Sequence, residues 1–92
     1  MTKFLIERNF GHITSEELAQ NATRSLRTIK ESFPQLTWEY SHVLKTKDGI
    51  RTACVYLGPT EEMVREHSRQ ANLPLESVSP VIGTVTPKDF EG

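Results

Sequence analysis

The chain is poor in cysteine, lacks any apolar run of membrane length and carries no excess of either charge. Its single thiol, Cys54, excludes an internal disulfide framework and fits a reducing compartment, so a cytoplasmic setting is expected. Eleven Lys and Arg stand against twelve Asp and Glu, for a net charge of −1. Because the two signs are interspersed, neither a nucleic-acid stripe nor a membrane-binding patch is expected. The opening Met1-Thr2-Lys3 leads straight into a strand-like run rather than a secretory signal. There is no Gly-rich phosphate loop, G-x-S-x-G elbow, C-x-x-C pair or H-E-x-x-H helix, and no internal repeat or low-complexity tract. Ninety-two residues make one domain, 1–92, with 87–92 read as a tail. A core this small would gain from pairing with a second copy.

What is present is a regular alternation of strands and helices. Phe4 to Arg8 reads as a first strand, and Asn9 to His12 as a loop. Thr14 with Glu17 forms a capping box, flanked by Ile13 and Leu18 at the staple positions. The helix that follows places Leu18, Ala22, Leu26, Ile29 and Phe33 on one face, and Pro34 ends it. Thr60 caps a second helix whose Glu61 and Glu62 suit the positive end of the dipole. Met63, Val64, His67 and Ala71 form its inward stripe, and Asn72 can take the left-handed position after it. Val78 to Thr86 reads as a last strand, at an edge because of Pro80.

Between the helices, Thr37 to Leu57 reads as a hairpin. Lys47-Asp48-Gly49 is expected to be a three-residue loop with Gly49 left-handed, which pairs Thr46 with Ile50. His42 would then sit opposite Cys54 on one face, together with Trp38, Tyr40 and Tyr56. Val43, Ala53, Val55 and Leu57 would point the other way, beneath the helices. The order strand, helix, strand, strand, helix, strand is the ferredoxin-like βαββαβ arrangement of the α+β class, with an antiparallel sheet in order 4-1-3-2 and both helices on one face. The aromatic face would be left bare, and a second copy laid sheet against sheet is its simplest partner.

Residues 54–78, C-V-Y-L-G-P-T-E-E-M-V-R-E-H-S-R-Q-A-N-L-P-L-E-S-V, together with K-F-L-I-E-R-N-F at the start and W-E-Y-S-H-V in the second strand, resemble a family of small bacterial ferredoxin-like proteins of unknown function, often labelled nickel-binding. The resemblance implies a dimeric α/β barrel and, in some members, bound nickel. Such members carry histidines near the end of the first strand, where this chain has Glu7 and Arg8, and glycine where Asn72 stands.

The candidate metal ligands are His42, Cys54 and His67, since imidazole and thiolate suit nickel, zinc and copper. Cys54 and His42 read equally as packing residues. His67, on an apolar stripe, needs a polar partner wherever it lies. Trp38, Tyr40 and Tyr56, with Glu7 and Arg8 at the end of the first strand, are the candidate pocket residues; a rim salt bridge is the plainer reading of Glu7 and Arg8. The leading expectation is a homodimeric binding protein for a divalent transition metal, nickel first. The alternative is a cofactor-independent enzyme of monooxygenase, isomerase or cyclase type acting on a small apolar substrate, or a structural or regulatory dimer without ligand.

Overall fold

A computed structural model describes residues 1–92. Strand β1 (Thr2–Gly11) is followed by helix α1 (Ser15–Ser32), the hairpin β2 (Thr37–Thr46) and β3 (Gly49–Gly58), helix α2 (Glu61–Gln70), strand β4 (Ser77–Pro80) and a single 3₁₀ turn at Pro87–Phe90. The four strands form one antiparallel sheet in the order β2-β3-β1-β4, as the element order predicts. No helix is long and apolar enough to cross a membrane.

The helix ends follow from local chemistry. Thr14 and Glu17 exchange both bonds of the capping box, and Thr60 accepts from the Met63 amide. Asn72 takes φ of 55° just beyond α2, and Arg24 of α1 donates to the carbonyls of Ala71 and Asn72, tying the two helices at that end.

The hairpin departs from expectation in its register. Thr46 pairs with Gly49, so the loop is only Lys47-Asp48, and Gly49 is the first residue of β3. Its positive φ of 109° is real, but the reason is different: a Cβ at Gly49 would stand 2.2 Å from the backbone of Gly11. The glycine closes β1 against the hairpin instead of sitting in the loop. A shift of one residue reverses the facing of a strand, so Ser41, not His42, lies opposite Cys54, and His42 lies opposite Ala53. A bulge between Trp38 and Tyr40 then returns Trp38 to the Cys54 and Tyr56 face, while Tyr40 stays with His42.

The expected faces are therefore exchanged for β3 and Trp38, whereas Tyr40 and His42 stay on the uncovered face and Val43 on the helix side, as expected. The helices cover Phe4, Ile6 and Arg8 of β1, Thr52, Cys54 and Tyr56 of β3, and Val78 of β4, all buried. With Ile29 of α1 and its C-cap Phe33, Leu36, and Val64 of α2, the apolar members of this set form the core. The uncovered face carries the rows Leu5–Val55–Tyr40, Glu7–Ala53–His42 and Asn9–Arg51–Leu44. Val55 is buried there by its neighbours in the sheet, whereas Tyr40 and Leu44 remain about half exposed.

Two strand boundaries and one helix face also differ from expectation. Strand β1 runs on to Gly11, through the stretch read as a loop. Helix α1 turns Ser25 inward and leaves Leu26 exposed, because the Ser25 hydroxyl and carbonyl meet Tyr56 and His67. Strand β4 stops at Pro80 rather than Thr86. Its register sets Pro80 against Phe4, and Val81 makes one more bond to Lys3; beyond that only Thr2 of β1 remains.

Candidate functional site

Arg8 lies on the helix-facing side of β1 and is 2% exposed. Its Nη1 donates to Ser68 Oγ and to the Pro74 carbonyl, both at 2.9 Å. Its Nη2 is buried and has no partner. The salt bridges of the fold join Arg51 to Glu76, Arg65 to Glu61 and Arg69 to Glu66, so no carboxylate answers the Arg8 charge. A guanidinium stays protonated in a protein, and an uncompensated buried charge costs several kcal/mol. Neither Arg8 nor Glu7 thus joins a rim salt bridge, the plainer reading of their position. Across the strand pair from Arg8 is Thr52, also buried, whose Oγ1 has no partner either.

A second polar group adjoins them. Ser25 Oγ lies 3.2 Å from the Tyr56 hydroxyl, and His67 Nε2 lies 3.1 Å from the Ser25 carbonyl. A carbonyl only accepts, so Nε2 carries the ring proton and Nδ1 presents a lone pair, which has no partner. His67 is completely buried, edge-on to Phe33 and tilted against Tyr56. Burial lowers its pKa; the bond to Ser25 opposes this, and the nearby Arg8 charge adds to the lowering. Burial raises the Tyr56 pKa, against smaller opposing effects of Ser25 and Arg8. At neutral pH both groups are uncharged, and Arg8 is the one formal charge in this layer.

Except for His67, which lies behind Ser25 and Tyr56, these residues line a cavity of about 360 Å³ between α1 and the sheet. Arg8, Thr52, Cys54, Tyr56 and Ser25 form its polar end. Phe10, Leu18, Ala22, Trp38 and Val43 supply most of the apolar wall. Trp38 Nε1 donates to Ser41 Oγ at 2.9 Å, and Ser41 Oγ in turn donates to Cys54 Sγ, which fixes the indole and occupies the thiol. Of the pocket residues expected from sequence, Trp38, Tyr56 and Arg8 meet here, while Tyr40 and Glu7 lie on the opposite face. Thr52 and Ser25 were missed. Thr52 could have been found by the period-two alternation from Cys54, and Ser25 from the equal fit of positions 25 and 26 to the helical stripe.

The candidate metal ligands are not brought together. Cys54 is buried under the helices, His67 is sealed in the core between α1 and α2, and His42 is exposed on the uncovered face beside Tyr40. No three His, Cys, Asp or Glu side chains of one chain gather as a metal site. His42 is the only one of the three that an ion from solvent could reach. Glu7 lies in its row, one strand beyond Ala53.

A family model described as "Nickel responsive protein SCO4226-like" matches residues 4–81. The fold is similar to that of a solved structure, SCO4226 from Streptomyces coelicolor A3(2), with a TM-score of 0.74 at 20% identity, covering 90% of this chain and 99% of that one. No curated protein matches the chain.

Proposed function

The chain belongs to the SCO4226-like family, and on that premise we propose that it is a homodimeric binding protein for a divalent transition metal, nickel first. The observation that carries this reading is the family match, whose model is described as nickel responsive. The chemistry of the uncovered face supports such a role. One chain offers too few donors for an ion, but two copies laid face to face would bring two His42 imidazoles and two Glu7 carboxylates to one interface. Imidazole and carboxylate are suitable donors for nickel. The bound ion would supply a charge-dependent link between the copies, so that the metal acts on assembly. The free Cys54 agrees with a reducing, cytoplasmic setting.

The test is calorimetric titration of untagged protein with nickel and with zinc, followed by metal analysis of the purified complex. Saturable binding is expected, weakened about tenfold or more by His42→Ala and unchanged by Cys54→Ala. Absence of any heat from either metal, or binding indifferent to His42→Ala, would contradict the proposal.

A further inference from the structure

The cavity under α1 is lined by a buried guanidinium, Arg8, whose Nη2 makes no close hydrogen bond and whose neighbour, the Tyr56 hydroxyl, brings no charge to balance it. Arg8 Nη2 and Thr52 Oγ1 are both buried, both without partners, and both belong to residues that line the cavity. Water could take up one such bond, but it leaves the guanidinium charge unbalanced and does not account for the apolar wall of Phe10, Leu18, Ala22 and Trp38. An anionic oxygen answers both donors and the charge in one contact. The apolar wall then calls for a hydrocarbon or aromatic body attached to that anion. A free phosphate fits poorly, because a dianion needs more donors than one nitrogen and one hydroxyl and gains nothing from the wall.

We propose that this cavity binds a small amphipathic carboxylate, its head on Arg8 Nη2 and Thr52 Oγ1 and its apolar body against Trp38, Leu18 and Ala22. The site is on the opposite side of the sheet from His42, so it stands or falls independently of metal binding. Ser25 and Tyr56 stand at the same polar end with groups that are neutral at physiological pH, so that Arg8 alone selects the charge of the ligand.

Trp38 is the only tryptophan and it lines the cavity, so its fluorescence reports occupancy directly. Octanoate, titrated in the presence of a chelator to separate the result from metal binding, should give a saturable change. Octan-1-ol, which shares the body and lacks the charge, should bind about tenfold more weakly or worse. Ala22→Phe fills the wall without touching Arg8 and should abolish the signal while the far-ultraviolet circular dichroism stays unchanged. Arg8→Gln should make octanoate and octanol equivalent. Should that variant fail to fold, the comparison of the two ligands on the native protein and the Ala22→Phe result still decide the matter. No saturable change with octanoate, equal binding of the alcohol to the native protein, or full binding by Ala22→Phe would each overturn the proposal.

Discussion

His67 is an imidazole standing where the helical stripe calls for leucine, and its surroundings dictate its protonation. Burial holds its pKa below the ordinary 6.5. The unfolded chain therefore takes up a proton near pH 6.5 that the folded chain refuses until a lower pH. By linkage, the stability contributed by neutral His67 is complete above that value and is lost as pH falls below it, down to the lowered native pKa. Unfolding free energy measured in urea should thus decline as pH falls below about 6.5, by at most about 1.4 kcal/mol per pH unit. Glu66, held at about 2 by Arg69 and Gln70, stays ionised throughout this window. His67→Gln, which can still donate to the Ser25 carbonyl, should flatten the profile; an unchanged slope would mean that the imidazole is not buried neutral.

At the scale of elements, the meeting of β1 with the hairpin turns on two glycines. Gly11 has φ of 71° with open space around its missing Cβ, whereas Gly49 has φ of 109° and lies against the Gly11 backbone. Gly11→Ala should cost only the strain of a left-handed residue, about 1 kcal/mol. Gly49→Ala adds a clash with main chain that cannot rotate away, and should cost about 2 kcal/mol or more and loosen the β1–β3 pairing. Guanidinium unfolding of both variants provides the comparison, and equal losses would mean that the strands do not approach so closely. The same junction sets the hairpin register, and with it the faces on which His42 and Cys54 lie.

For the whole molecule, the consequence is an unequal pair of sheet faces. One is sealed by two helices and holds the cavity; the other exposes Tyr40 and Leu44 around the buried Val55. If two copies pair through the second face, Tyr40→Asp or Leu44→Lys would strand a charge in the contact and weaken association about tenfold or more. Sedimentation at micromolar concentration should show a native dimer and dissociated variants with unchanged helix content. Trp38 belongs to the other side, so replacing it should alter the cavity and leave assembly intact. A native protein that sediments as a monomer would contradict the pairing.

The sequence by itself determined the elements, their order and the fold class. Those depend on signals within a few residues: the Thr14–Glu17 box, the cap at Thr60, the helical stripes, and Asn72 after α2. The βαββαβ order then allowed the strand arrangement to be read directly. Tertiary structure decided which residues share a face. Gly49 was read as a loop glycine because the sequence does not display the distant backbone of Gly11, and the resulting shift of one residue separated His42 from Cys54. The bulge at Trp38 restored only part of the expected face. Arg8 shows the same limit. Its alternation against Glu7 was plain, but its lack of a carboxylate partner is a fact about Ser68, Pro74 and Thr52, which lie far along the chain and meet it only when the sheet and α2 have packed.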